Sequence, residues 1–224
     1  MPPQIKFTRE DVLTAALDIA IGGGLNAITA QGIAAKLNSS VQPLYSSFAS
    51  IQELKQALAE SICKLFREYV ISVYTGEPHL DIWIGELLFA KQFKNLYVSF
   101  QVERNSFEDL FMQVNYEEFE VFKSDLKLRE LTHDQLHAFY RHMQIHAYGL
   151  CVMICNKYWS DKTNIGFVRV IKEIAEVTLN AVRENKILGR SHWFNQAEIE
   201  IETPRVQSTL TFLPSHWQLK RSKI

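Results

Sequence analysis

The stretch "KLNSSVQPLYSSF", Lys36–Phe48, places a proline inside a segment that otherwise has helical character. Proline lacks an amide N–H and interrupts a helix interior, but the first-turn N–H groups have no intrahelical acceptor, so proline is tolerated there. If Ser40 is the N-cap, then Val41, Gln42 and Pro43 are the first three helical residues. The sequence therefore predicts a short helix that begins at Ser40.

Capping and termination signals surround this segment on both sides. Thr8 begins a first helix, which the three glycines Gly22–Gly24 end. Thr29 begins a short second helix, and Asn38, which tolerates a positive φ, follows it. Ser50 then caps a long fourth helix. About four residues separate the second and third helices, which is the spacing of a helix-turn-helix unit.

Residues Ile28–Leu58, "ITAQGIAAKLNSSVQPLYSSFASIQELKQAL", resemble the helix-turn-helix signature of the tetracycline-repressor (TetR) family of bacterial transcriptional regulators. The matching positions are Ile28-Thr29, Ile33-Ala34, Ser40, Leu44-Tyr45, Phe48, Ser50 and Glu53-Leu54. The resemblance implies an all-α homodimer with a DNA-binding domain of three helices over residues 1–50. It also implies a helical effector-binding and dimerisation domain over residues 51–190, whose last two long helices pair across the dimer. The implied partners are an operator in double-stranded DNA and a small-molecule effector.

The resemblance assigns DNA contacts to residues around the turn, namely Thr29, Lys36, Ser40, Val41, Gln42, Pro43 and Tyr45. Gln42 can form a bidentate contact with adenine, or it is an ordinary solvated residue. Tyr45 contacts a phosphate or sugar, or it is a half-buried aromatic that supports the turn. Thr29 is a helix cap in either case, and the alternative for Lys36 is a solvated lysine. We assign Leu44 and Phe48 to the core.

The segment departs from the family pattern in three ways. The family usually has lysine where Ile51 stands, often basic or imidazole residues where Ser46 and Ser47 stand, and commonly glycine in place of Asn38. Residues 1–60 carry four basic and five acidic side chains, a net charge of −1, and the whole chain also has a net charge of −1. Because DNA affinity comes largely from phosphate neutralisation, these features predict weak DNA binding or binding through hydroxyl and backbone groups.

The rest of the chain up to about residue 188 also has helical periodicity. The fourth helix is predicted to continue to Thr75 and to be followed by an apolar helix over 79–100. Residues 105–127 are predicted to form one amphipathic helix, or two with a break near Asn115. Thr132 and Gln135 cap a helix over 133–159 that is apolar nearly all round after Met143, so we expect it to be deeply buried.

The end of the chain changes character. An amphipathic helix over 164–188 carries an apolar stripe that could pack against a partner helix, formed by Ile171, Ile174, Ala175, Thr178, Ala181 and Val182. Residues 197–213 alternate apolar and polar side chains around Pro204, which predicts a two-stranded β-hairpin within a C-terminal extension over 191–224.

Aromatic residues are frequent in the middle of the chain. The resemblance implies a cavity between the fourth to eighth helices, and an apolar pocket with a few polar groups suits a hydrophobic or amphipathic ligand. The candidate ligand-binding residues are Phe66, Phe89, Phe93, Phe111, Phe139, His142, Met143 and His146. The alternative is that most of these side chains simply fill the core.

The sequence offers few signals for catalysis or metal binding. His133/His137 and His142/His146 each share a helix face, as metal ligands require, but a polar pocket lining is favoured over metal sensing. The run Glu117, Glu118 and Glu120 is interpreted as a solvated helix face. Cys63, Cys151 and Cys155 lie in apolar patterns and are predicted to be buried free thiols. We find no phosphate-binding glycine loop, nucleophile motif or paired carboxylates beside a base.

These patterns together predict an all-α, cytoplasmic, homodimeric protein without cofactor, metal, membrane span or enzymatic activity. Its expected function is a ligand-responsive DNA-binding transcriptional regulator, a repressor that the effector releases from its operator. The alternative is a TetR-like fold that acts as a ligand- or protein-binding module with weak or no intrinsic DNA binding.

Overall fold

Helices make up the regular structure of residues 7–72, 75–159 and 164–187, the parts of the chain that the computed structural model describes. The α-helices in these ranges are α1 (Arg9–Gly23), α2 (Ala30–Lys36), α3 (Gln42–Ser47), α4 (Ile51–Val70), α5 (Pro78–Gln92), α6 (Lys94–Tyr97), α7 (Glu108–Lys123), α8 (His133–Cys155) and α9 (Ile165–Arg183). Single 3₁₀ turns occupy Leu25–Ala27 and Leu126–Leu128, and a π-helical segment occupies Val98–Val102. The all-α part of the prediction is therefore confirmed. The predicted hairpin over 197–213 and the extension over 191–224 lie outside the described residues.

Local capping fixes the start of most of these helices as predicted. Thr8 and Asp11 form a reciprocal capping box, in which the Thr8 hydroxyl accepts from the Asp11 amide at 3.1 Å and the Asp11 carboxylate accepts from the Thr8 amide at 2.7 Å. Thr29 and Ser50 accept from the backbone amides three residues later, at 3.0 Å and 3.1 Å. Thr132 forms a second capping box with Gln135 at the start of α8.

Backbone conformation also ends α1 and α2 where the sequence predicted. Gly24 directly follows the last residue of α1. Its backbone has φ 75° and ψ 179°, a conformation that favours glycine. Asn38 has φ 49° in the turn after α2. The predicted N-cap of α3 is wrong by one residue. Val41 is the N-cap, with φ −72° and ψ −7° and no capping bond from its own side chain, and the Ser40 hydroxyl accepts from the Gln42 amide at 3.3 Å.

Two predicted helix boundaries in the middle of the chain are wrong. α4 ends at Val70 instead of continuing to Thr75. The helix predicted over 79–100 breaks at Phe93, where φ −123° and ψ 51° leave the helical region, and continues as α6 and the π-helical segment. Of the two alternatives for residues 105–127, the single helix is confirmed, because α7 runs through Asn115 without interruption.

α5 is the central helix of this assembly. It packs against α4, α7, α8 and α9, and most of its residues from His79 to Ala90 are buried. At Gly85 an added Cβ would lie 2.3 Å from the carbonyl oxygen of Tyr69, so α4 and α5 cross in backbone contact. The buried apolar side chains form one continuous core from Val12 to Val182, and the predicted domain boundary after residue 50 stays a prediction.

A buried contact between His79 and Asp125 fixes the start of α5 to the turn after α7. His79 Nδ1 lies 2.6 Å from Asp125 Oδ2, and both side chains are buried. The other carboxylate oxygen of Asp125 accepts from the Lys127 amide at 2.8 Å. Burial acts to raise the pKa of Asp125, but these hydrogen bonds outweigh it, and the pKa lies below its usual value.

The expectation that α8 is buried all round after Met143 is wrong. Ala147, Leu150, Cys151 and Cys155 are buried, as is Cys63 on α4, so the three cysteines are buried free thiols as predicted. The opposite face of α8 is exposed in this chain, at Ile145, Tyr148 and Met153. The reason is that α5 and α9 cover one side of α8.

The apolar stripe predicted on α9 packs within the same chain. Ile171, Ala175, Thr178 and Val182 are buried in it, where α9 contacts α8 and α5, whereas Ile174 and Ala181 remain half-buried. Within the described residues, no helix combines the length and apolar character needed to cross a membrane.

Candidate functional site

The first turn of α3 projects from the protein surface. Leu44 and Phe48 are buried and anchor the helix, as predicted. Val41 and Gln42 are exposed, and Tyr45 is 53% exposed, so the tyrosine does not support the turn from inside. Thr29, Lys36 and Ser40 are also exposed, and Pro43 is half-buried in the first turn. The predicted DNA-contacting residues therefore lie on α2, α3 and the turn between them.

The basic side chains near α3 are already engaged within the protein. Arg9 donates to the carbonyl oxygen of Ser47 at 2.7 Å, its guanidinium lies 3.8 Å from the Phe48 ring centroid, and it is 3.4 Å from Glu53. Lys36 lies 3.0 Å from the Asp18 carboxylate. The surface around α3 therefore offers an amide, hydroxyls and a phenol more than it offers unpaired positive charge.

The predicted effector-binding residues lie in several separate places. Phe66, Phe89, Phe93 and Phe111 form one cluster between α4, α5 and α7, with the Phe66–Phe89 centroids 4.9 Å apart and the Phe89–Phe93 centroids 5.2 Å apart. Phe139 is elsewhere in the core and packs against Phe122 at 5.2 Å. Met143 is completely buried on α8.

His142 and His146 border a surface groove of about 350 Å³ between α8 and α9. Burial, together with the neighbouring His146, lowers the pKa of His142. The other pair, His133 and His137, has its Nε2 atoms 3.1 Å apart, and His137 stacks on Phe119. Among the described residues, no three histidine, cysteine or acidic side chains converge as metal ligands would.

Two acidic side chains lie among the packed helices, Glu118 buried and Glu86 partly buried, and the sequence interpretation missed both. Glu118, expected on a solvated face, is only 5% exposed, so that expectation is wrong for it. Its position follows from spacing, because Phe111, Val114, Glu118 and Phe122 recur on one face of α7. Glu86 is a single acidic residue within the apolar run of α5. That isolated position in an apolar run was the sequence signal that could have identified it.

Hydrogen bonds connect these acids to two tyrosines. The Tyr97 hydroxyl donates to Glu86 at 2.8 Å, and the Tyr140 hydroxyl lies 3.3 Å from Glu118 Oε2. Burial raises the pKa of Glu86 to about 7, and the Tyr97 hydrogen bond offsets only part of that effect. Burial, followed by the charge of Glu86, raises the pKa of Glu118 well above its usual value.

The adjacent acids of α7 have a different environment. Glu117 pairs with Arg67 through two contacts, at 2.5 Å and 3.0 Å, and Glu120 lies 2.5 Å from Lys123. These pairs are partly exposed. The ion-pair distances of the described residues give neither Glu86 nor Glu118 a cationic partner.

The segment that carries Tyr97 also bonds directly to the end of α1. The Asn95 side chain donates to the carbonyl oxygens of Ile21 at 3.0 Å and Gly22 at 2.8 Å. The Ser99 hydroxyl accepts from the Leu25 amide at 3.1 Å. The break at Phe93 thus brings residues 94–102 from the central helix to the N-terminal helices.

No protein-family model matches the chain, and no curated protein matches it significantly. The TetR resemblance therefore depends on the motif residues alone.

Proposed function

We propose that this protein is a TetR-like transcriptional regulator that binds DNA through α2 and α3 and releases it when a small molecule binds the helical body. The observation that carries the proposal is the exposed first turn of α3, where Gln42 and Tyr45 face solvent while Leu44 and Phe48 hold the helix. An exposed first turn on a short, firmly anchored helix suits entry into a major groove.

A mobility-shift titration with DNA from upstream of the protein's own gene tests this proposal. We expect Gln42→Ala and Tyr45→Ala each to weaken binding about tenfold, consistent with about 1–3 kcal/mol for a base or backbone contact. Tyr116→Ala is the matched control, because Tyr116 is another strongly exposed tyrosine and lies on α7, away from α3. Equal affinities for the wild type and all three variants would contradict DNA binding through α3.

The hydrogen bonds between residues 94–102 and α1 support a route for effector control. A ligand that replaces the Tyr97–Glu86 hydrogen bond would favour a different position of this segment, and Asn95 and Ser99 would transmit the change to α1. Asn95→Ala combined with Ser99→Ala is expected to leave DNA affinity in place and to reduce the effect of an effector on it.

The exposed apolar face of α8 and α9 supports a homodimer through these two helices. Its members on α8 are Ile145, Tyr148 and Met153, and on α9 they are Ile165 and Val177, which is 70% exposed. We expect Ile145→Glu with Val177→Glu to give a monomer in sedimentation velocity. Leu126→Glu, which changes an exposed leucine outside this face, is the control.

A second candidate function is a ligand- or protein-binding module that binds DNA weakly or not at all. The engagement of Arg9 and Lys36 in intramolecular contacts favours it, because few positive charges remain for phosphates. If the protein binds DNA at low salt and Tyr45→Ala weakens that binding, the result supports the regulator. If the protein binds an effector but no DNA, the result supports the binding module.

A further inference from the structure

We infer that a small cavity at the start of α5 binds a free amino acid with a short apolar side chain, in its zwitterionic form. The cavity has a volume of about 150 Å³ and lies between the first turn of α5, the 3₁₀ turn after α7, and α9. The inference goes beyond the proposed function, because neither its evidence nor its test involves DNA.

The floor of the cavity is apolar apart from one imidazole ring. Leu80, Ala175 and Leu179 line it and are buried, and His79, which also lines it, is only 4% exposed. Two of these residues belong to α5 and two to α9, so the packing of the two helices fixes the floor. A ligand in the cavity therefore places an apolar group beside a single polar ring.

His79 has an unpaired nitrogen at this cavity. Its Nδ1 lies 2.6 Å from Asp125, and no hydrogen bond within the described part of the chain engages Nε2. Nε2 is also not one of the fully enclosed polar atoms, so it borders open space, and the cavity is the space that His79 lines. A polar group this deeply buried normally has a partner.

The contact with Asp125 decides what kind of partner His79 needs. The pKa of Asp125 is lowered, so its carboxylate is ionised and can only accept hydrogen bonds. The proton between the two groups is therefore carried by Nδ1, and in the neutral ring Nε2 is an acceptor. The floor of the cavity calls for a ligand that donates an N–H.

The rim of the cavity carries charges of both signs. Glu77 and Lys127 line one side and pair with each other. Lys172 and Glu176 line another side, one turn apart on α9, and both are exposed. The ion pairs within the described ranges include neither of them. One ammonium group and one carboxylate are thus available to a ligand beside the His79 ring.

A small zwitterion satisfies all three groups, whereas other ligand classes satisfy fewer. An amino acid's ammonium group can donate to His79 Nε2 and to Glu176, and its carboxylate can accept from Lys172. A simple anion leaves the imidazole and Glu176 without counterparts, and a simple amine leaves Lys172 without one. A metal ion needs three or more converging ligands, which the described residues do not provide. Since drug-sized ligands occupy pockets of about 300 Å³ or more, the ligand's side chain must be short.

Calorimetric titration of the full chain without DNA tests the inference. The probes are L-alanine, L-valine and L-leucine, each beside its deaminated acid and its decarboxylated amine, with L-tryptophan as a ligand too large for the cavity. We expect at least one of the three small amino acids to bind and L-tryptophan not to bind. Both truncated analogues of that amino acid are expected to bind about tenfold more weakly or worse, because each lacks one charged contact.

Variants at the rim assign each ligand charge to its partner. Lys172→Gln and Glu176→Gln are each expected to weaken amino-acid binding about tenfold. In Lys172→Gln, removal of the ligand's carboxylate should have little further effect, and in Glu176→Gln the same should hold for its ammonium group. Glu173→Gln and Lys186→Gln are the matched controls, because both residues are exposed, and Glu173 borders the groove on the α8 side of α9.

His79→Asn tests the floor of the cavity. The asparagine amide keeps an N–H for Asp125 and removes Nε2, so we expect weaker binding of the amino acid and unchanged binding of its deaminated acid. Circular dichroism verifies that the helices of each variant are intact. If His79→Asn does not fold, the two rim variants decide the question alone, because their side chains are exposed.

The inference is overturned if none of the three small amino acids binds, if a truncated analogue binds as tightly as its amino acid, or if both rim variants bind like the wild type. DNA binding that depends on Tyr45 without amino-acid binding leaves the regulator in place and removes only this site. Amino-acid binding without Tyr45-dependent DNA binding has the opposite meaning, because the site stands and the regulator fails.

Discussion

α3 and α5 use their polar residues in opposite ways. α3 buries Leu44 and exposes most of its other side chains, whereas α5 buries most of its residues, including His79, Asp81 and Trp83. Charges near α3 are neutralised by partners at the surface, but Glu86 in α5 has a phenol in place of a cation. The difference is one of exposure, because α3 presents its polar side chains to solvent whereas α5 holds polar side chains among packed helices.

The largest expected difference between the two regions concerns ion pairs. Asp125→Ala leaves His79 buried without its partner, and we expect a loss of about 3–5 kcal/mol in the free energy of unfolding. Asp18→Ala, which removes the exposed partner of Lys36, is expected to cost less than about 1 kcal/mol. Urea denaturation at pH 7 measures both.

The Asp125 contribution should also depend on pH. Its pKa is lowered in the folded state, so the stabilisation is present above the unfolded pKa near 3.8 and is lost as the pH falls through the lower, folded pKa. Equal losses for Asp125→Ala and Asp18→Ala would remove the distinction between interior and surface.

The crossing of α4 and α5 gives the next effect. Gly85→Ala places a Cβ against the Tyr69 carbonyl oxygen, and because backbone atoms must shift, we expect a loss of about 1–3 kcal/mol. Gly149→Ala on α8 is the matched control, since an added Cβ there meets no atom within 4 Å. We expect that variant to be unchanged or more stable by about 0.5–1 kcal/mol. Thermal unfolding compares the two, and equal melting temperatures would show that the crossing tolerates a methyl group.

A smaller effect concerns the ionisation of the buried acids. The pKa of Glu118 is raised in the folded state, so the wild type loses stability as the pH rises above the unfolded value of 4.5. Glu118→Gln removes this cost, and we expect a gain on the order of 1 kcal/mol at pH 8 that vanishes near pH 4.5. Denaturant unfolding at both pH values measures it. A gain that is the same at both values would mean that Glu118 does not titrate between them.

The smallest expected effect is at the surface around α2 and α3. Asp18→Asn releases Lys36 from its ion pair, so DNA affinity at low salt should rise about two- to fivefold. The slope of log K against log salt should steepen by about 0.9, the value for one more neutralised phosphate. Filter binding at several salt concentrations measures this slope, with Asp134→Asn on α8 as the control. An unchanged slope would place Lys36 outside the DNA contact.

Features that depend on a few neighbouring residues were predictable from the sequence. Thr8, Thr29, Ser50 and Thr132 cap helices because each hydroxyl bonds to an amide three residues away. Asn38 adopts its positive φ because asparagine tolerates that backbone conformation, which is also a local property. The exception is the start of α3, where the bond from Ser40 reaches the Gln42 amide and the helix begins one residue late.

The errors arose where a distant segment decides the outcome. The break at Phe93 accompanies the bonds of Asn95 to α1, which no local pattern contains. Glu118 is buried because α7 turns it toward Tyr140, more than twenty residues away in sequence. α8 has an exposed apolar face because α5 and α9 cover only its other side.

The sequence by itself determined the helical class, most helix starts and the anchoring of α3 by Leu44 and Phe48, because local hydrogen bonds and periodicity specify them. Only the tertiary structure decided that Glu86, Glu118 and Trp83 share one interior region and that Tyr97 lies on a segment bonded to α1. Burial and pairing of a side chain depend on which helices pack around it, and that arrangement is set by contacts between residues far apart in the chain.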